Sequence, residues 1–230
     1  MTHPNTMFDK EKIQLGISAN YILNQTDRFW MVISGDVDLF YVRIDENGEY
    51  QSALNHVYRI SQGELLFNFM LPSVAEDFRL VATSSEATLL AINKNKLFDI
   101  NKTVLKQFID KWILKTSGRL STASIPRVYK ALDETLKITL QKEEIAYPFR
   151  GLKWATLFQG TAFKYGGVTK VSEESEHHFP FAVSNSLWIQ AQDKPAQISI
   201  MNTIDVLRDE IFFMLSFQEL QQHFCRVILE

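Results

Sequence analysis

Two adjacent histidines and a nearby run of glutamates are the residues whose types suggest a metal site. His177 and His178 follow Glu173, Glu174 and Glu176. Neighbouring side chains on a strand point to opposite faces, so the two imidazoles would not share one ion, and no other His or Cys lies at ligand spacing nearby. The glutamates lack the alternating Asp/Asn–Gly loop of calcium sites. The sequence therefore predicts a solvated surface loop here, with neither a metal nor a cofactor.

The sequence also lacks the common motifs of nucleophilic and phosphate-binding enzymes. The single cysteine, Cys225, excludes an internal disulfide and is typical of a small buried hydrophobe rather than a reactive thiol. One cysteine in 230 residues also fits a reducing compartment. The chain has no Gly-x-Ser-x-Gly elbow and no Walker-type loop. We therefore expect a protein that binds or regulates, with no catalytic residues.

Charge and hydropathy argue against two further classes. The net charge is −3 and no stripe of Lys and Arg appears, so we expect no nucleic-acid partner. The polar start, Met1–Lys10, lacks the apolar core of a signal peptide. The apolar run Ile211–Leu215 is much shorter than the roughly 20 residues that span a bilayer. These features predict a soluble, cytoplasmic protein.

Alternating apolar and polar residues predict strands in the first part of the chain. The clearest stretch is Phe29–Ile44, which alternates on both sides of Ser34 and Gly35, where a strand would bend. Asn47 and Gly48 supply the positive φ angles of a hairpin turn. Further strands are expected at Val57–Ile60, Leu65–Phe67, Phe78–Thr83 and Ala87–Ile92.

Apolar residues three and four positions apart predict three helices. The first carries Val104, Leu105, Phe108, Ile109, Trp112 and Ile113. The second has Ser124 as its cap and Pro126 in its first turn, and its apolar stripe either packs on a sheet or binds a partner. That stripe is Val128, Leu132, Leu136 and Leu140. Asp205 caps the last helix, whose apolar side either packs on the preceding strands or forms a homodimer seam. That side is Leu207, Ile211, Met214, Leu215, Leu220, Phe224, Val227 and Ile228.

An internal repeat organises these elements. The stretch Leu80–Ile92 matches Trp188–Ile200 in pattern. In that match Val81 corresponds to Ile189, Leu90 to Ile198 and Ile92 to Ile200, and Trp30–Gly35 corresponds to Trp154–Gly160 with one extra residue. The predicted fold is mainly β with α (α+β), with two β-roll lobes joined by a helical linker. The boundaries are a first roll at 1–101, a linker at 102–146, a shorter second roll at 147–204 and a C-terminal helix at 205–230.

The first lobe resembles the cyclic-nucleotide-binding β-roll family, a jelly-roll or double-stranded β-helix fold related in shape to the cupins. The resemblance lies in Ile33–Phe40, which matches the family's strand–turn–strand phrase, and in the corner glycine Gly63. In that family a Phe-Gly-Glu segment holds the phosphate and the ribose, and a later arginine pairs with the phosphate. The matching ligand-binding candidates here are Phe67, Asn68 in place of the glycine, and Arg79.

The departures from that motif predict a roll that has become a scaffold. Phe69 stands where the family has its ribose-binding glutamate. Losing one charged hydrogen bond costs about 1.5–3 kcal/mol, and a buried hydroxyl without a partner adds a desolvation cost. The alternative is a small-molecule sensor that binds a cyclic nucleotide or another anion near Arg79. A cupin-type enzyme is a third reading, and it would need a metal cluster that the histidine positions do not provide.

A second resemblance covers nearly the whole chain. The phrases Trp30–Val42, His56–Ile60 and Gly63–Phe67, with Gly151–Trp154, Gly160, Phe179–Phe181 and Trp188–Ala191, are similar to the N-terminal soluble region of NHLM-type bacteriocin ABC exporters. In that family the region precedes a membrane domain and an ABC ATPase that export ribosomally made peptides. The resemblance implies a regulatory or docking module at the inner face of the membrane. Its partners would be the exporter's membrane and ATPase domains and a leader or cargo peptide. The chain would be a fragment or a standalone relative.

Overall fold

The computed structural model divides the chain into two compact units, one ending at Trp112 and the other beginning at Ile113. We describe each unit by itself. Within the described part of the chain, no helix is both long and apolar enough to cross a membrane. The structure describes residues 11–17, 20–23, 25, 27–68, 78–121, 123–134, 137–159, 162–167, 169–172 and 179–229.

The first unit is a roll of two four-stranded antiparallel sheets. One sheet has the strand order β1-β8-β3-β6 and the other has the order β2-β7-β4-β5. A 3₁₀ turn at Lys94–Asp99 follows the last strand, and helix α1, Lys102–Leu120, continues from this unit into the second. The strands are β1 Lys12–Gly16, β2 Tyr21–Ile22, β3 Arg28–Ser34, β4 Asp36–Arg43, β5 Asn55–Ser61, β6 Leu65–Leu66, β7 Phe78–Thr83 and β8 Glu86–Asn93.

Local sequence explains the shape of the first roll. In β4, Val37 and Leu39 are fully buried while Asp36 at the start of the strand is exposed, as the alternation predicts. The carboxylate of Asp45 accepts hydrogen bonds from the main-chain N–H groups of Asn47 and Glu49, which closes the predicted hairpin turn. The strands, α1 and the position of the turn are confirmed, but of the two predicted turn residues only Gly48 has a positive φ, +83°, and Asn47 does not.

The second unit is also a roll of two sheets, with one strand more than the first. One sheet has the order β10-β17-β12-β15 and the other β14-β13-β16-β11-β9. Two helices follow, α2 at Thr203–Val206 and α3 at Glu210–Leu229. The strands are β9 Lys130–Ala131, β10 Lys137–Leu140, β11 Ile145–Tyr147, β12 Lys153–Gln159, β13 Ala162–Tyr165, β14 Thr169–Ser172, β15 Phe181–Val183, β16 Ile189–Ala191 and β17 Ala196–Met201.

The two rolls have the same topology. Strands β10 to β17 occupy the sheet positions of β1 to β8 in the same order, and β9 is an addition that pairs in parallel with β11. The strands of the second roll begin at Lys130, before the predicted boundary of residue 147. The predicted linker of residues 102–146 is helical as far as Leu120, and its remaining strands belong to the second roll.

The helix predicted from Ser124 is wrong, because residues 130–131 and 137–140 are strands β9 and β10. The stripe that suggested it, including Leu132 and Leu140, repeats every four residues. Residues four apart share a face in a helix and also in a strand, so this spacing does not distinguish the two. Pairing of β10 with β17 decides for the strand.

A β-bulge in each roll sets the register of the repeat. The bulge lies at Ile33 in β3 and at Phe158 in β12. The last residue before the bulge pairs with Leu89 in the first roll and with Ile198 in the second. Ile198 therefore corresponds to buried Leu89, and the predicted match with Leu90 is offset by one residue. The physical reason is that the bulge adds one residue to the strand. A sequence match that ignores this residue pairs a side chain on one face of the sheet with a side chain on the other face.

The same register corrects the correspondence of the tryptophans. Trp154 pairs with Met201 at the position where Phe29 pairs with Ile92. Trp154 therefore corresponds to Phe29 rather than to Trp30, and no extra residue is needed. Gly160, which ends the second phrase, lies outside the described residues.

The long helices belong to the repeat as well. Asn101 accepts from the N–H of Thr103 at the start of α1, and Asp209 accepts from the N–H of Phe212 at the start of α3. Counted from these caps, six positions are buried in both helices. They are Leu105, Ile109, Trp112, Ile113, Thr116 and Ser117 in α1, and Phe213, Phe217, Leu220, Gln221, Phe224 and Cys225 in α3.

The last helix starts later than predicted and buries only part of the predicted apolar side, with Leu220 and Phe224 buried as predicted. Asp205 accepts from the N–H of Asn202 and caps the short helix α2, not α3. Ile211 is 75% exposed and Leu215 37% exposed, although both belong to the predicted apolar side. Starting α3 after Asp209 turns the aromatic residues of the helix toward the sheet instead. Cys225 is fully buried, as predicted, and burial raises the pKa of its thiol to about 12.

Candidate ligand-binding corner of the first roll

The three predicted site residues lie at the two ends of one connection. Phe67 and Asn68 come directly after β6, and Arg79 is the second residue of β7. Phe69 lies outside the described residues, as does the rest of the segment 69–77. The structure therefore describes how both ends of the connection are held.

Phe67 is a core residue. Its side chain is fully buried. Its ring lies edge-on to Phe29 of β3, with ring centroids 4.8 Å apart, and edge-on to Trp112 of α1 at 5.3 Å. Such aromatic pairs add to the stabilisation from burial. Phe67 thus links the end of β6 to the helix that follows the roll.

Asn68 ties the start of the connection to another loop. Asn68 is 6% exposed, and its side-chain amide donates a hydrogen bond to the main-chain carbonyl of Gln25, between β2 and β3. A glycine at this position would lack that donor. Where the family uses glycine to let a phosphate approach the main chain, this chain therefore has a buried side chain with a structural hydrogen bond.

Glu64 also belongs to this corner, and no local sequence pattern indicates its role. It follows Gly63, is 8% exposed, and its carboxylate lies 2.8 Å from the ammonium of Lys111 on α1. The partner of Glu64 is not predictable from the sequence, because Lys111 is distant in the chain. Glu64 with Lys111 and Phe67 with Trp112 form two contacts between the corner and α1, and we call these four residues the corner–helix contact.

Arg79 is held by its own strand. It is half-buried, and its guanidinium donates to the main-chain carbonyl of Phe78 at 2.7 Å. In the ladder Arg79 lies opposite Val42, while Leu80 lies opposite Tyr41 on the other face. Arg79 and Asn68 therefore each bind a main-chain carbonyl, at opposite ends of the connection.

The second roll has no comparable connection. Strand β15 joins β16 through a tight turn in which the N–H of Ser184 donates to the carbonyl of Leu187 and the reverse bond also forms. The hydroxyl of Ser184 accepts from the N–H groups of Ser186 and Leu187, both at 3.2 Å. These bonds use the polar groups that a cradle would offer to an anion. This turn therefore leaves those groups already hydrogen-bonded within the chain.

No group of three or more metal-binding side chains occurs among the residues that the structure describes. His177 and His178, together with the acidic residues Glu173, Glu174 and Glu176, lie outside those residues. The prediction of a solvated loop there stays a prediction.

Comparisons with known proteins give distant likenesses to several solved structures. No family model and no curated protein matches the chain. The unbound, oxidised form of CprK is 12% identical over 56% of this chain and 68% of that protein, with a TM-score of 0.35. A cAMP-bound PfPKA-R is 12% identical over 96% of this chain and 80% of that one, with a TM-score of 0.30. The regulatory subunit of a cAMP-independent protein kinase A from Trypanosoma brucei is 10% identical over 93% and 81%, with a TM-score of 0.27.

TM-scores below 0.5 establish no relationship by themselves, so the fold assignment rests on the strand order of the chain itself. That order confirms the predicted fold class, mainly β with α, built from two β-rolls. Nothing in these comparisons concerns an exporter.

Proposed function

We propose that this chain is a non-catalytic regulatory or docking module, in which the first roll has lost the cyclic-nucleotide cradle and serves as a scaffold. The observation that carries the proposal is the hydrogen bond from the buried amide of Asn68 to the carbonyl of Gln25. A phosphate at this corner would have to displace a side chain that is already bonded. The burial of Phe67 against Trp112 supports the same view.

The corner–helix contact supports a regulatory role for the same region. Lys111 and Trp112 lie on α1, and Glu64 and Phe67 lie just before the connection 69–77. A partner that moves this connection would therefore change the packing of α1 at the same time. A change of packing that one bound partner favours is the basis of a population shift between two states.

The wider context that we propose is a bacterial peptide exporter, with membrane and ATPase domains as partners and a leader or cargo peptide as ligand. This part of the proposal is supported by the sequence phrases alone. It predicts that the neighbouring coding sequence specifies a membrane domain and an ABC ATPase. Neighbours with unrelated functions would count against the exporter and leave the loss of the nucleotide cradle unaffected.

Calorimetry with cyclic AMP and cyclic GMP tests the central proposal. We expect no binding to the full chain at nucleotide concentrations of about 1 mM, because the buried side chain of Asn68 occupies the approach to the main chain. A matched variant, Asn68→Gly with Phe69→Glu, restores the family's two residues and is expected to gain measurable affinity. Its fold is checked by circular dichroism.

The alternative is a sensor, and the half-buried Arg79 at the start of β7 is the residue that favours it. Micromolar binding of either nucleotide to the unmodified chain, lost in Arg79→Ala, would establish the sensor and overturn the scaffold.

A further inference from the structure

The outer edge of the second roll ends in strand β10, and part of its main chain faces away from the sheet. The ammonium of Lys130 donates to the carbonyl of Thr139 at 2.9 Å, so this carbonyl points away from β17. In an antiparallel ladder alternate residues face the neighbouring strand, so the main chain of Lys137 points outward with that of Thr139. Strand β10 therefore offers the N–H groups of Lys137 and Thr139 to an additional strand.

A groove of about 160 Å³ opens beside this edge. Phe158 forms one wall and is 59% exposed, because the bulge in β12 turns this residue out of the regular ladder. The other lining residues are Lys137, Ile138, Thr139, Gln197 and Ile198. The groove thus combines an aromatic face, aliphatic side chains and polar groups next to the outward-facing N–H groups of Lys137 and Thr139.

Lys137 gives the groove a positive charge that has no counter-charge among the described residues. Its ammonium lies 4.1 Å from the centroid of the Phe158 ring, a cation–π contact that holds the charge at the mouth of the groove. An occupant that matches this charge carries a carboxylate.

We propose that the β10 edge binds an extended acidic peptide segment, which adds a strand to the sheet by main-chain pairing. A carboxylate of the peptide meets Lys137, and a neighbouring apolar side chain packs on Phe158 in the groove. Strand addition of this kind draws affinity from main-chain hydrogen bonds and specificity from the side-chain grooves. The inference deepens the docking role and rests on the proposed function, since it names the chemistry of the docked peptide.

The first roll supplies a natural comparison. By the register of the two bulges, Lys12 of β1 corresponds to Lys137 and Gln14 corresponds to Thr139. Ile33 stands at the bulge in place of Phe158. A lysine on an edge strand commonly deters pairing with other chains, and Lys12 fits that role. The exposed ring and its groove distinguish the β10 edge from the β1 edge.

The test uses two fluorescent peptides of alternating residues, one with glutamate and valine and one with glutamine and valine, added to the full chain. Fluorescence anisotropy at about 0.15 M salt is expected to show binding of the glutamate peptide and at least about fivefold weaker binding of the glutamine peptide. Lys137→Glu is expected to weaken binding of the glutamate peptide at least about tenfold, and Thr139→Pro to weaken it similarly by removing an outward N–H. Lys12→Glu and Gln14→Pro are the matched controls and are expected to leave affinity within about twofold.

Three results would overturn the proposal. Equal binding of both peptides would show that the carboxylate of the peptide contributes nothing to affinity. An equal loss of affinity in Lys12→Glu and Lys137→Glu would show attraction by overall charge. Displacement by acetate together with an unchanged Thr139→Pro would show a small-anion site without strand addition. If Thr139→Pro does not fold, Phe158→Ser and amide hydrogen exchange at Lys137 and Thr139 provide the same decision, since strand addition slows exchange at both.

The peptide test and the nucleotide test fail independently. Absence of peptide binding would overturn the proposed β10 site. The scaffold role of the first roll would still be decided by calorimetry with the nucleotides. Binding of cyclic nucleotide would overturn the scaffold role whether or not the peptide binds.

Discussion

At the residue scale, a buried histidine in the second roll has a pKa far from its usual value. His223 of α3 is 6% exposed, and its ring lies 4.6 Å from that of Tyr165. Burial lowers the pKa of His223 to about 4, and the charge of Arg226 adds to the effect. His223 is therefore neutral in the folded protein at neutral pH. Tyr165 is also buried, which raises the pKa of its phenol.

The low pKa of His223 predicts acid sensitivity of the second roll. The unfolded chain binds a proton at His223 below about pH 6.5 while the folded chain does so only near pH 4, so stability falls as pH drops between these values. We expect a loss of roughly 2–3 kcal/mol between pH 7 and pH 4.5, measured by urea unfolding. His223→Gln is expected to flatten this dependence, whereas His56→Gln, at an exposed site, is expected to retain it.

Gly35 shows where a single residue type is required. Its φ is +73°, and an added Cβ would lie 2.0 Å from the carbonyl oxygen of Glu86. Gly35→Ala is expected to cost on the order of 3–5 kcal/mol in thermal or chemical unfolding. Gly48→Ala is the matched control, with φ +83° but no atom within 4 Å, and is expected to cost about 1–2 kcal/mol. Similar losses in both variants would contradict the role of the close approach.

At the scale of elements, α1 is fastened to the first roll by the corner–helix contact. The two contacts differ in kind, since Phe67 is fully buried while the side chain of Lys111 is 58% exposed. Burial of an aromatic ring stabilises strongly, whereas an ion pair with an exposed partner contributes little. The ring contact therefore supplies most of the stabilisation of α1 on the first roll, and the ion pair contributes little to it.

This difference predicts distinct effects of two substitutions. Phe67→Ala is expected to destabilise the first unit by about 3–5 kcal/mol and to speed amide exchange in the first half of α1. Lys111→Met is expected to cost about 1 kcal/mol or less. Lys106→Met, whose partner Asp110 lies within α1 itself, controls for a general loss of charge on the helix. Faster exchange in α3 as well as α1 would contradict a local contact.

At the scale of the whole molecule, the chain is a duplicated roll whose two copies have different connections. The repeat extends from the bulges at Ile33 and Phe158 to the caps of α1 and α3. The copies differ at the connection after β6 and after β15, where the second roll has a closed turn. The two copies therefore share one strand order and differ at this connection.

The duplication predicts equal effects at equivalent helix positions. Ile109 and Phe217 correspond, and both are buried. Ile109→Ala and Phe217→Ala are each expected to cost about 2–5 kcal/mol in urea unfolding. Ile211→Ala, at a site 75% exposed, is expected to change stability by less than about 0.5 kcal/mol. A large effect at Ile211 would show that this face of α3 is covered in solution.

The sequence by itself determined the features that depend on neighbours along the chain. Alternation around Gly35, the turn that Asp45 closes, helix α1 and the burial of Cys225 all follow from local period, turn chemistry and residue type.

Tertiary structure decided what depends on distant pairing. The stripe around Leu140 fits a helix and a strand equally, and pairing with β17 chose the strand. The bulge at Phe158 set the register of the repeat, and packing on Trp154 chose which side of α3 is buried. Glu64 and Lys111 meet because the roll brings its corner to α1, and a local pattern contains no information about which distant groups a fold brings together.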